Sequence, residues 1–146
     1  MSKAAHLAGT AINITKTTAS HALSYTMTSR FGVPHGHAVA LSLGPMLVYN
    51  SLATDDDVTG SQGTDHLRQT IAELNHLFGC SDATGSRKKI TDLIESLHLP
   101  TRLSDLGIRT EAQRRLIVEG VNPERLANNP RALSQKALLE ILEEIA

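Results

Sequence analysis

Two histidines pose the chemical question. His21 and His35 stand fourteen residues apart within the stretch HALSYTMTSRFGVPHG, residues 21–36. A neutral imidazole is the commonest side-chain metal ligand, and it titrates near neutral pH. The spacing is neither the i,i+4 pair of a helical zinc site nor half of a zinc finger. Contact between the two rings therefore requires the chain to fold back. Gly32 and Pro34 offer that turn, because proline cannot continue a helix and disfavours helical backbone at Val33. Taken alone, the pair also fits a bland reading. The chain has seven histidines, and one buried imidazole bonded to backbone beside another at a helix start would look the same.

Other reactive side chains read more simply. Tyr25 lies four residues after His21, on the same helical face. Its phenol can hydrogen-bond, but with a pKa of about 10 it is a poor base at neutral pH. Glu73 and His76 fall on an amphipathic pattern with Leu74 and Leu77 and read as helix surface. Asp55, Asp56 and Asp57 lack the alternating ligand order of a calcium loop. Arg87, Lys88 and Lys89 read as a solvated helix start. Cys80 is the only cysteine, so neither an internal disulfide nor a cysteine zinc site is open to the chain. The glycines are scattered through turns, with no glycine-rich strand-to-helix turn for a pyrophosphate.

The elements that must hold these residues are helical. Apolar residues recur at spacings of three and four, and no strand pattern of useful length is present. Helices are expected over residues 3–14, from about residue 18, and from the PHG turn to about residue 52. The third is apolar almost all round between Ala38 and Tyr49, the pattern of a central helix. An aspartate at Ala40 is expected to cost several kcal/mol. Residues 54–63 (TDDDVTGSQG) form a surface loop. Leu67, Ile71, Leu74 and Phe78 make one stripe; Ile90, Leu93, Ile94 and Leu97 make another. Thr110 and Gln113 form a capping box, and Leu138, Leu142 and Ile145 line a last helix. The expectation is a single all-α, bundle-like domain over residues 1–146, with six to eight helices.

Composition narrows the partners. Aromatics make up 3% of the chain, so the core must be aliphatic. A net charge of -1 without a basic stripe speaks against nucleic acid. The longest apolar run is shorter than the roughly 20 residues a bilayer needs. With no signal-peptide pattern at the start, a cytoplasmic protein without membrane contact is expected.

Four motifs in order resemble one family. The Gly-x-Pro-His-Gly turn at 32–36, the helix leading to His21, the LPTRL segment at 99–103 followed by Leu106, Gly107 and Ile108, and the Asn129, Pro130, Arg131 triplet before the last helix all occur in this chain. Together they resemble the C-terminal helical domain of the iron-containing (group III) alcohol dehydrogenases, a dehydroquinate-synthase-like fold. HALSY and PHGHAVAL look closest to its phosphonoacetaldehyde-reductase-like branch. The resemblance implies that His21 and His35 are two of four ligands to a catalytic Fe²⁺ or Zn²⁺. It also implies NAD(P) as cofactor, a small alcohol or aldehyde as substrate, and a nucleotide-binding domain as partner. Tyr25 and His37 are the candidate catalytic residues; Tyr25 replaces a histidine found in many members.

The chain departs from that pattern in one large respect. No Asp-x-x-x-His pair for the other two ligands occurs, and no nucleotide motif. The chain alone is therefore expected to hold metal weakly or not at all, to lack turnover, and to self-associate through an exposed cleft wall near His21, Tyr25 and Pro34. Two other readings stand beside the enzyme domain. One is an inactive helical interaction module; the other is one subunit of a split enzyme.

Overall fold

The computed structural model describes residues 2–146. Its chain order is α1 (Ser2–Ile14), α2 (Ala19–Phe31), α3 (His35–Ser51), α4 (Gly63–Leu77), α5 (Ala83–Ser96), a 3-10 turn (Ser104–Leu106), α6 (Glu111–Glu119), α7 (Pro123–Leu126) and α8 (Gln135–Glu143). The fold is all-helical. An isolated antiparallel bridge between Val58 and Arg131 is the sole β-type pairing among the described residues. No helix among them is long and apolar enough to cross a membrane.

Local chemistry explains the ends. Thr110 accepts from the Gln113 backbone while the Gln113 side chain returns to the Thr110 N–H, the reciprocal box expected for α6. Asp82 and Ser134 cap α5 and α8 in the same sense. Asn122 caps α7, a single turn with Pro123 in its first position, which apolar spacing had no means of marking. Gly32 ends α2 at φ 68, the left-handed region that costs glycine nothing. Val33 follows outside any helix and Pro34, at φ -54 and ψ 134, leads into α3, reversing the chain between the two histidines.

Helix α3 lies at the centre, packed against α2, α4, α5 and α8. The main core gathers Leu23 and Met27 of α2, Ala38, Leu41 and Met46 of α3, Ile117 of α6, and Leu138 and Leu142 of α8. A smaller cluster of Ala53, Leu67 and Ile71 seats α4 against the end of α3. Gly44 lets α3 approach α5 closely, since a Cβ there would stand 2.9 Å from Arg87 Cγ. Ala40 is half-buried and lines a cleft of about 360 Å³ shared with Arg87 and Arg102. It is a milder place for a charge than its apolar surroundings in sequence suggest.

Two stripes close only in part. Leu67 and Ile71 are buried, but Leu74 and Phe78 are exposed, and Asn75 turns inward instead, accepting from Ser86 Oγ at 2.7 Å. On α5, Ile90 and Ile94 are buried while Leu93 and Leu97 are exposed. Helices α4 and α5 pack on α3 and on each other, and each buries a single line of residues spaced three and four apart, which leaves the rest of the stripe exposed. At the other extreme, α1 buries no residue, and Leu7, Ile12 and Ile14 are exposed.

Candidate metal and substrate site

The first turns of α2 set the site. Ala19, Ser20, Leu23 and Ser24 face inward, which leaves His21 and Tyr25, one turn apart, on the opposite open side. The turn at residues 32–34 then delivers His35 to the first position of α3. The His21 and His35 rings stand with centroids 5.4 Å apart, edge to face at 62°. A tetrahedral ion bound by two imidazoles at 2.0–2.1 Å sets the ring centroids roughly 5 Å apart. The donor set and its spacing therefore fit a shared ion. Tyr25 adds a third ring, with its centroid 5.5 Å from that of His35.

Ser24 controls His35. Its hydroxyl donates to the His21 carbonyl at 2.7 Å, which uses its only proton. Its contact with His35 Nδ1 at 3.1 Å must then run the other way, with Nδ1–H donating to the serine oxygen. That fixes the tautomer and leaves Nε2 with its lone pair open. A ligand imidazole held through its second nitrogen is the arrangement that orients it for metal. His21 is held below the ordinary imidazole pKa, first by burial and then by repulsion from His35 and Arg125. It is neutral, and so able to act as a ligand, at neutral pH.

Arg125 comes from α7, a hundred residues away in sequence. Its Nη1 donates to the Tyr25 hydroxyl at 2.6 Å, and its guanidinium carbon sits 4.5 Å from the Tyr25 ring centroid. Beside this stack opens a cleft of about 460 Å³ between the end of α1, Tyr25 and α7. Neither Arg125 nor Ser24 was singled out by sequence. The serine falls at i+3 from His21, a spacing that could have marked it as a partner on α2, but no local pattern points from Tyr25 to Arg125.

His37 does not join this group. Residues two positions apart on an α-helix lie about 200° apart round the axis, so His37 leaves α3 on the side away from His35. It is buried, and its Nε2–H donates to the Pro100 carbonyl at 2.7 Å. It is a tie between α3 and the segment at 99–103. Gly36 has open space around it and makes no close approach to another element. Among the described residues no group of three or more His, Cys, Asp or Glu side chains could hold a metal ion.

The other motifs prove to be joints of the fold. Leu103 is fully buried and its N–H donates to Ile145 O at 2.7 Å, clipping the segment at 99–103 to the chain end. Asn129 is buried and pairs its amide with that of Asn50 on α3. Arg131 stacks on Tyr49, with its guanidinium carbon 4.2 Å from the ring centroid, and donates to Asp57 at 2.7 Å and to Tyr49 O at 3.0 Å.

Comparison with known proteins bears on the family and the fold. The chain is 31% identical over 144 residues to a phosphonoacetaldehyde reductase of Streptomyces viridochromogenes, covering 99% of this chain and 35% of that protein. It is 31% identical over 140 residues to a choline dehydrogenase of Bacillus subtilis, covering 94% of this chain and 33% of that protein. The chain thus spans about a third of the length of the curated relatives it matches. The crystal structure of an iron-containing alcohol dehydrogenase from Corynebacterium glutamicum shares its fold, with a TM-score of 0.62 at 23% identity over 86% of this chain and 31% of that one. A model of the C-terminal region of the Fe-containing alcohol dehydrogenases matches residues 1–146, and the chain belongs to that family.

Proposed function

We propose that this chain supplies the metal-binding side of the active site in an NAD(P)-linked alcohol dehydrogenase or aldehyde reductase. The observation that carries the reading is the His21–His35 pair at 5.4 Å, with Ser24 leaving His35 Nε2 open. His21 and His35 would hold Fe²⁺ or Zn²⁺, both of which accept imidazole. When bound, such an ion polarises a substrate oxygen while hydride passes to or from the nicotinamide. Tyr25 accepts a hydrogen bond from Arg125 and keeps its own O–H to donate to that oxygen. His37 acts at a distance, by anchoring the start of α3.

Mononuclear catalytic sites take three protein ligands, and this pair provides two. In our reading the remaining ligands and the nucleotide site belong to a nucleotide-binding domain outside these residues, on the same polypeptide or another. The exposed α1, with Leu7, Ile12 and Ile14 unburied, supports a partner surface. On its own the chain is expected to bind metal weakly, to show no turnover, and to self-associate. Cobalt titration followed by visible absorbance tests the site: His21→Ala and His35→Ala should each abolish the ligand-field bands. Bands that survive both substitutions would place the metal elsewhere. A nicotinamide absorbance assay and light scattering test turnover and association.

A further inference from the structure

Another pocket opens on the inward side of α2, opposite the face that carries His21 and Tyr25. It holds about 200 Å³ between the start of α2, α3 and α4, and its lining includes none of His21, His35, Tyr25 and Arg125. Met46, Leu67 and Ile71 are buried in its wall, while Leu43 and Leu74 line it with part of their surface exposed. No lining residue is charged. Among the polar ones, Asn50 pairs its amide with Asn129, Thr70 donates to the His66 carbonyl at 2.9 Å, and Thr18 is half-buried. Ser20 differs from these. It is 2% exposed, and its hydroxyl has no hydrogen-bond partner among the described residues. Buried hydroxyls are normally paired, so the fold keeps an unspent polar group in an otherwise apolar wall.

We propose that this pocket binds a small uncharged carbonyl compound, a cyclic ketone or lactone, whose apolar body fills the cavity and whose oxygen accepts from Ser20. The site stands apart from the dehydrogenase reading, since no residue of the histidine site lines it. Size sets the body of the ligand. An apolar cavity of roughly 150 Å³ already holds benzene, so about 200 Å³ takes a six-membered ring with one substituent. The lining sets its charge, because an ion would shed its hydration with nothing there to replace it. Water suits the pocket poorly, since a buried water needs about two to four polar partners and Ser20 is the single unspent buried one in the wall. The donor count selects the oxygen. A carbonyl takes the serine proton and brings no donor of its own, whereas an alcohol in the same place leaves one O–H proton unpaired. Rotation about one side-chain bond is enough to turn the Ser20 hydroxyl to the ligand.

The test is a nuclear magnetic resonance titration of the chain labelled at its Met, Leu and Ile methyls, with cyclohexanone as the probe. The Met46, Leu47 and Ile71 methyls should move saturably while the Tyr25 ring signals stay in place. Cyclohexylammonium and cyclohexanecarboxylate, of similar shape but charged, should leave these methyls unmoved. Ser20→Ala should weaken cyclohexanone binding about three- to ten-fold, the scale of one neutral hydrogen bond. Toluene, which fits the same space without a carbonyl, should bind the parent and Ser20→Ala alike. The variant should melt no lower than the parent, because it removes a buried hydroxyl that the fold leaves unpaired. Methyls that do not respond to cyclohexanone overturn the proposal. So does equal cyclohexanone affinity in parent and Ser20→Ala, or a charged probe that binds as well as the ketone. Methyl shifts that follow chain concentration and ignore cyclohexanone would show that a second copy covers the pocket, and would overturn it too.

Discussion

Helices α2 and α3 have weak one-sided patterning and bury seven residues each, while α4 and α5 carry clear stripes and bury four each. A stripe marks a helix covered along one line. A helix touched from several sides has no dry face to display, so its periodicity fades as its burial rises. Polar residues then enter the interior. Ser20, Ser24, Thr26, His37 and Ser42 are all buried in α2 and α3. Ser24, His37 and Ser42 have hydrogen-bond partners there, as buried polar groups generally do, whereas the Ser20 hydroxyl has none; Ser24 spends its partners on the two histidines. In this molecule the site lies where amphipathic pattern is weakest.

That contrast is broken most directly by charge. Ala38 is fully buried in α3 between core residues. Ala38→Asp should cost about 4 kcal/mol or more, or prevent folding, because an unpaired carboxylate is stranded in an apolar interior. Ala40→Asp, on the half-buried cleft that Arg87 and Arg102 also line, should cost about 1–2 kcal/mol. Thermal melts followed by circular dichroism compare the two. Equal losses would mean that α3 is not covered on the side described.

Cavity formation sharpens the comparison. Leu23 on α2 is fully buried in the main core, and Leu67 on α4 retains 8% of its exposure at the edge of the small cluster. Leu23→Ala should cost about 4–5 kcal/mol and Leu67→Ala about 2–3 kcal/mol, the two ends of the usual range. An edge site can collapse around the missing methyls, and a central one cannot. Chemical unfolding of both variants gives the numbers. A larger loss at Leu67 would reverse the ranking of the two regions.

Next in size is the hydroxyl that links core to site. Ser24→Ala removes the acceptor of the His35 Nδ1 proton and frees the ring to rotate and change tautomer. Metal affinity should fall 10–100-fold, about 1.4–2.7 kcal/mol, as for other groups that orient a ligand imidazole. Cobalt binding measures the affinity, and nitrogen chemical shifts of His35 report the tautomer. An unchanged tautomer in Ser24→Ala would show that the serine does not set it.

How much of this was legible in the sequence varies with the length scale. The reversal between His21 and His35 could be read from Gly32 and Pro34, because backbone restriction at those residues is local. The capping box at Thr110 and Gln113 was legible for the same reason. The roles of His37 and Arg125 were not. His37 sits beside a metal-ligand candidate in sequence, yet its helical phase sends it to Pro100, and Arg125 reaches Tyr25 only because α7 folds back over α2. The stripes on α4 and α5 overstated burial, since spacing shows which residues share a face but not how wide the neighbouring helix is. Family motifs at 99–103 and 129–131 were recognisable by type, while their service as joints needed coordinates.

The smallest expected effect tests the seam between the two regions. Asp57 lies in the connection from α3 to α4, where it accepts from the Thr54 N–H at 2.7 Å and from Arg131 at 2.7 Å, while Arg131 stacks on Tyr49 of α3. The Thr54 backbone hydrogen bond first, and the Arg131 bond second, hold the Asp57 carboxyl below its ordinary pKa. A depressed folded-state pKa means that the unfolded chain takes up the proton first as the solution is acidified. The contribution to stability is therefore complete above the unfolded carboxylate value near ~3.9, and is lost as pH falls through the lower folded value. Asp57→Asn keeps an oxygen for the Thr54 N–H and removes only the charge. The pair is partly exposed, with side chains 20% and 28% accessible, so the loss at pH 7 should be the least of those named here. Urea midpoints of parent and variant should differ slightly at pH 7 and converge in acid. A gap that stays constant down to acid pH would mean that the seam is held by the stack on Tyr49 rather than by the ion pair.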